Sequence, residues 1–387
     1  MSTETTALPT SPQQVRGTSR WLSWLLVATL VYLLLAAVGA IGAGFKSAAG
    51  DNAKALFEFA SNPLISLIIG VVATALIQSS STVTSIIVGM VAGGLPVAIA
   101  IPMVMGANIG TSLTSTLVSL GHVRNGDEFR RAFSAATVHD SFNLLAVAIV
   151  LPLELLFQPL ARTSEWLAGL LVSDASMSMG SMNFMKALLA PATGLMKESV
   201  AWLPGVWSGV ALILLGIGII LMVVTQIGNV LRTLMEGKAM GILRTAVGRG
   251  PVSGMASGTL VTVLVQSSST TTSLIVPLAG SGMFSLKQVY PFILGSNIGT
   301  TITALLAATA ITGDAAMVAL QIALVHLLFN VLAIALIYVL PVLRALPMNM
   351  AELLATQAQR NKAYVAAYIG GVFFALPLGL VGLSQWL

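Results

Sequence analysis

The chain has 387 residues, of which 56% are hydrophobic and 8% charged, with a mean hydropathy of +0.94. A soluble chain carries about a quarter charged residues, so a soluble multidomain protein is excluded and an integral membrane protein remains. The absence of cysteine excludes disulfides, cysteine-held metals and thiol catalysis; the net charge of +5 reads as basic cytoplasmic loops, not a nucleic-acid footprint.

In chain order, residues 1–20 form a polar tail ending in Arg16 and Arg20, followed by an apolar run over 21–45. That run exceeds the roughly 7–15 residues of a signal-peptide core and reads as a retained span. Further apolar runs cover 63–91, 95–120, 132–157, 203–227, 252–279, 289–312, 315–342 and 364–387. Each has the roughly 20 residues that a spanning helix needs. The fold class is therefore an all-α polytopic membrane protein.

The connections differ in charge. Arg124, Arg130 and Arg131 lie in 121–131; Arg232, Lys238, Arg244 and Arg249 in 228–250; Arg344, Arg360 and Lys362 in 343–363. All three are expected in the cytoplasm, with the N-terminus, while the sparsely charged 158–202 is expected as an extracytoplasmic loop. The count of crossings closes only if 63–91 and 252–279 each return to the side they entered from, as re-entrant or broken-helix hairpins. Pro96, Pro102, Pro277 and Pro291 fall around these hairpins, where a helix must break.

The chain repeats itself. Gln78-Ser79-Ser80-Ser81-Thr82 recurs 188 residues on as Gln266-Ser267-Ser268-Ser269-Thr270. Gly106-Ala107-Asn108-Ile109-Gly110-Thr111 recurs after 189 as Gly295-Ser296-Asn297-Ile298-Gly299-Thr300, and His139 with Asn143 after 187 as His326 with Asn330. The expected organisation is a first transport repeat over 21–157, the loop over 158–202, a second repeat over 203–342, and a cytoplasmic loop with a final helix over 343–387. An odd number of crossings separates the starts of the halves, so the repeats are expected to be inverted, an arrangement common among secondary transporters.

Four hydroxyls and an amide in mid-hairpin must face protein, water or ligand, because lipid cannot solvate them. Their oxygens are hard neutral ligands suited to sodium, and hydroxyl hydrogens with freed backbone N–H groups can donate to an anion; interhelical hydrogen bonding is the plainer alternative. The Gly-x-Asn-Ile-Gly-Thr strings offer Asn108 and Asn297, with Thr111 and Thr114 or Thr300 and Thr303 at helical spacing; a small-xxx-small packing face is the alternative there. Asp140 is read as the one charge inside a long apolar run, expected to hold a cation or proton or to sit protonated against backbone, with Asn143 on the same helical face. His139 and His326 read as packing or hydrogen-bonding residues. No Walker A string and no histidine beside either serine run supports an ATPase or a hydrolase.

These strings, with Phe129-Arg130-Arg131-Ala132-Phe133 leading into Thr137-Val138-His139-Asp140, resemble the type II sodium/phosphate cotransporters of the solute carrier 34 family, and are most similar to its bacterial members. The resemblance covers roughly 64–155 and 254–341. It implies a non-enzymatic symporter of a bacterial inner membrane, taking up inorganic phosphate with sodium by alternating access, with no cofactor beyond the transported ion. It places Gln78, Ser79, Ser80, Ser81, Ser267, Ser268, Ser269, Asn108 and Asn297 around the substrate. It implies one sodium site at Gln266, Ser267, Thr300 and Thr303, another at Asn143 and Ser296, and electrogenic transport through Asp140. Another small anion, such as sulfate or a carboxylate, is the alternative cargo, and a membrane hydrolase the alternative class.

Overall fold

The computed structural model describes residues 20–49, 61–173 and 178–375, with residues 377, 379 and 382. Of the expected elements, the tail over 1–20 lies outside these residues save Arg20, as does most of the last run beyond residue 375. Among the described residues the chain is helical, with no strand. Six helices are long and apolar enough to cross a membrane: Trp21–Ala48, Val97–His122, Gly126–Phe157, Val206–Leu231, Leu286–Thr309 and Gly313–Tyr338.

Helix α1 (Arg20–Ala49) is followed by α2 (Pro63–Ile77) and α3 (Ser80–Ala92), which share one apolar run. The run breaks at its polar string. Asn62 caps α2 by accepting from the Leu64 N–H, and Gln78 ends it in a left-handed conformation at φ 60°. Ser79 returns to extended backbone and caps α3, its Oγ accepting from the Thr82 N–H. A non-glycine residue in the left-handed region is uncommon, so the break needs a residue held there by its surroundings.

Helices α4 (Val97–Ile109) and α5 (Leu113–Ser119) flank a 3₁₀ turn, and α6 (Gly126–Phe157) follows. Next come α7 (Pro159–Ser173) and α8 (Ser178–Val200). The second half opens with α9 (Val206–Ala246), then α10 (Pro251–Val265) and α11 (Ser268–Gly280), which break as α2 and α3 do. Gln266 is left-handed at φ 55°, and Ser267 caps α11 through the Thr270 N–H. Helix α12 (Leu286–Thr309) leads to α13 (Ala316–Ala333) and a π-helical turn (Ile334–Tyr338); α14 (Pro341–Arg360) and α15 (Ala363–Gly370) close the chain, α15 running into a second π-helical turn (Gly371–Ala375).

Corresponding glycines bring the helices of each half together. A Cβ on Gly70 would stand 2.0 Å from the Met103 carbonyl oxygen, and one on Gly106 2.0 Å from that of Leu67, so α2 and α4 touch backbone to backbone. In the second half, a Cβ on Gly258 would stand 1.9 Å from the Phe292 carbonyl oxygen, and one on Gly295 1.9 Å from that of Met255. Lipid is as apolar as leucine, so close packing of this kind replaces hydrophobic burial as the force that joins membrane helices. The small-xxx-small reading of the Gly-x-Asn strings is therefore realised in both copies. Beyond the hairpins, α3 packs on α12 and α13, whereas α11 packs on α5 and α6. Each half thus packs against the second helix of the other's broken pair, and one buried apolar cluster runs through both.

Three expectations change. The segment expected as a loop over 158–202 contains α7, packed on α13, and α8, packed on α1. The basic connection over 228–250 continues α9, and that over 343–363 forms most of α14; lysine and arginine are good helix formers, so charge there does not stop a helix. Pro102, Pro277 and Pro291 sit inside helices, and the breaks fall instead at Gln78 and Gln266, where a polar side chain can satisfy freed backbone groups.

Candidate functional site

The two Gln-Ser-Ser-Ser strings meet. Ser269 Oγ donates to the Gln78 carbonyl at 3.4 Å, across 191 residues of sequence. Ser115 on α5 and Thr272 on α11 join their hydroxyls at 2.7 Å. The N-termini of α3 and α11, with their first-turn N–H groups and positive helix ends, therefore lie beside one another in the core. Ser80, Ser81, Ser268 and Ser269 are buried, while Gln78, Ser79, Gln266 and Ser267 are half-buried.

Each glutamine is anchored in the same way. Gln78 donates through Nε2 to the Ala75 carbonyl and accepts through Oε1 from Thr114 at 2.8 Å. Gln266 donates to the Val263 carbonyl at 2.8 Å and accepts from Thr303 at 3.1 Å. The helix paired with each hairpin thus supplies a hydroxyl to its break, so Gln266 and Thr303 come together. Thr300 lies one turn before Thr303, its hydroxyl donating to the Ser296 carbonyl at 2.9 Å; Ser296 itself donates to that of Ile293 at 2.7 Å.

Five side chains from the second and third echoes form one buried network. Asn143 donates to the Asn108 carbonyl at 2.8 Å and accepts from Asn297 Nδ2 at 3.0 Å. His139 Nε2 lies 2.6 Å from Asn297 Oδ1, which fixes it as the donor nitrogen in this arrangement. Asn330 donates to Asn108 Oδ1 at 3.3 Å and to the His326 carbonyl at 2.9 Å. Asn330 Oδ1 and both ring nitrogens of His326 are buried without a partner among the described residues. The network crosses from α6 and α4 to α12 and α13, so these residues tie the halves together.

Asp140 stands apart from it. The carboxylate is fully buried, but its hydrogen bond comes from the Tyr368 phenol on α15, not from Asn143. On α6, residues 139 and 143 lie about 40° apart and meet α12, while residue 140 lies about 100° from residue 139 and about 60° from residue 143. Asp140 Oδ1 has no partner among the described residues. Tyr368 itself is held edge-on by Phe133 at 6.1 Å and Phe373 at 6.4 Å between ring centroids. No sequence signal joined Tyr368 to Asp140.

A second charge shares that apolar run. Glu154 also lies in the apolar run over 132–157 and is 6% exposed, so Asp140 is not alone there. Its carboxylate accepts from the N–H groups of Leu160 at 2.7 Å and Ala161 at 3.0 Å, capping the start of α7. The cue was legible: a glutamate five residues before a Gln-Pro helix start suits the positive end of a helix.

The Na+/Pi-cotransporter family model matches residues 33–187 and 219–379, one stretch in each half. Sodium-dependent phosphate transport protein 2A of mouse is 33% identical over 93% of this chain and 67% of its own length, and the rabbit protein of that name 33% over 96% and 69%. Sodium-dependent phosphate transport protein 2B of human is 31% identical over 93% of this chain and 65% of its own length. The chain thus spans about two thirds of these relatives. No solved structure matches it significantly. The relatives are transport proteins, and the chain is a membrane transporter, not an enzyme. It belongs to the Na+/Pi-cotransporter family.

Proposed function

We propose that the chain is a sodium-coupled symporter that takes up inorganic phosphate by alternating access, with both cargoes held at the interface of two inverted repeats spanning 21–157 and 203–342. The observation that carries this reading is the meeting of the two broken hairpins, Ser269 on the Gln78 carbonyl. Two positive helix ends and four buried serines converge where a small anion would lie. Gln78, Ser79, Ser80, Ser81, Ser267, Ser268, Ser269, Asn108 and Asn297 are the residues that bind it.

Sodium supplies what this centre lacks. Phosphate in a low-dielectric interior is costly without positive charge, and each bound cation lowers that cost while the anion lowers the cation's, reciprocally. Gln266, Ser267, Thr300 and Thr303 offer neutral oxygens for one ion, and Asn143 with Ser296 offers them for another. Asp140 holds a further positive charge on the adjoining face of α6, making the cycle electrogenic. The basic connections support an N-terminus on the cytoplasmic side of a bacterial inner membrane.

Radiolabelled phosphate uptake into proteoliposomes tests the reading. An inward sodium gradient should drive accumulation, and sulfate or a small carboxylate should not compete. Equal uptake under a potassium gradient overturns sodium coupling, and labelling of Ser80 or Ser268 by a serine-reactive phosphonate would favour a hydrolase.

A further inference from the structure

The starts of α10, α12 and α14 surround a cleft of about 420 Å³ that no part of the transport reading uses. Its walls carry Pro251, Lys287, Tyr290, Tyr338, Pro341 and Arg344, and no carboxylate. Among the described residues neither Lys287 nor Arg344 makes an ion pair. The Arg344 guanidinium lies over the Tyr338 ring, 5.5 Å from its centroid. Tyr338 in turn meets Tyr290 edge-on at 5.3 Å, at the end of a π-helical turn.

Two kinds of donor there lack an acceptor. Tyr290 is 1% exposed and its hydroxyl has no partner among the described residues; an acceptor brought into the cleft would relieve a buried donor that is otherwise unpaired. Helices α10 and α14 begin at Pro251 and Pro341 with no side-chain cap, so their first-turn N–H groups lack a side-chain acceptor. Helix α12 differs, being closed by its own capping box of Ser285 and Gln288.

The chain contains its own control. Helix α7 begins Pro159-Leu160-Ala161-Arg162 and α14 begins Pro341-Val342-Leu343-Arg344, the same Pro-x-x-Arg start. At α7 the first-turn amides are taken by the Glu154 carboxylate. At α14 no carboxylate lines the cleft, and a lysine and an unpaired phenol stand near instead. The first copy binds an anion from its own chain; the second is built for one from outside.

We propose that this cleft binds a phosphate group, of an anionic lipid headgroup or of free inorganic phosphate. Arg344 and Lys287 supply the charge, Tyr290 donates its hydroxyl, and the start of α14 offers its amides. The site is separate from the Gln-Ser-Ser-Ser centre and stands whether or not that centre carries phosphate.

The test uses the full chain, delipidated in neutral detergent and titrated in sodium-free buffer with phosphatidylglycerol or phosphatidylcholine, bound lipid being read by native mass spectrometry. Phosphatidylglycerol is expected to bind at least about fivefold more tightly, and Arg344→Gln to remove about tenfold of that affinity, with Arg344→Lys retaining part of it. Tyr290→Phe deletes only an unpaired hydroxyl, so it should fold and still weaken binding by about two- to tenfold. Displacement by inorganic phosphate shows that one subsite takes both sources, and lipid that phosphate does not displace assigns the headgroup. Arg344-dependent binding of labelled phosphate without lipid preference assigns the free ion. Equal retention of the two lipids together with phosphate binding indifferent to Arg344→Gln overturns the proposal, as does a phosphatidylglycerol preference that survives Arg344→Gln.

Discussion

The phenol of Tyr368 donates to the carboxylate of Asp140, 228 residues earlier in the chain, so the terminal helix closes over the buried acid of α6. Removing that phenol strands a carboxylate that has no other side-chain partner among the described residues. Tyr368→Phe is expected to lower stability by about 1–3 kcal/mol, seen as a lower unfolding midpoint, and to shift the charge moved per phosphate. Asp140→Gly should reduce that charge outright. A current-to-uptake ratio unchanged in Asp140→Gly would count against an ion site at this acid.

The Gln266–Thr303 contact predicts coupled effects on sodium. Gln266→Ala and Thr303→Val should each raise the sodium concentration for half-maximal uptake. Because the two groups share one hydrogen bond, the double variant should fall short of additivity by about 0.5–3 kcal/mol. Strict additivity across the cycle would show that the contact does not shape the ion site.

Close backbone packing sets a steric test at the hairpins. Gly295→Ala would place a methyl group 1.9 Å from the Met255 carbonyl oxygen, so α10 and α12 must separate. Loss of a monodisperse, cooperatively unfolding protein is expected. Gly218→Ala, with nothing within 4 Å of the new carbon, sits inside α9 and should stabilise by up to about 1 kcal/mol through helix propensity. Equal tolerance of both changes, read by size-exclusion chromatography and thermal unfolding, would contradict the backbone contact.

Glu154 predicts a loss confined to stability. Glu154→Leu leaves the Leu160 and Ala161 amides uncapped and should cost about 1–2 kcal/mol, with Glu154→Gln losing less because one oxygen acceptor remains. Thermal unfolding measures both, and half-maximal sodium and phosphate concentrations should stay near those of the unaltered protein.

Much of the architecture was legible before any coordinates. Four hydroxyls inside an apolar run mark each Gln-Ser-Ser-Ser string as a group that needs partners, and the helices break at Gln78–Ser79 and Gln266–Ser267, where glutamine closes one helix in left-handed geometry while serine caps the next. Prolines were a poorer guide. Pro102, Pro277 and Pro291 are absorbed within helices, and charge in 228–250 and 343–363 proved compatible with helix.

By itself the sequence determined that the protein lives in a bilayer and that its halves repeat, since those follow from hydropathy and spacing. Tertiary structure decided which side chains meet. A soluble helix announces its inward face by an apolar stripe, but a membrane helix is apolar toward lipid and core alike, so its rotation is not written in its pattern. That rotation sends His139 and Asn143 to Asn297, turns Asp140 to Tyr368, and leaves Tyr290 without a partner.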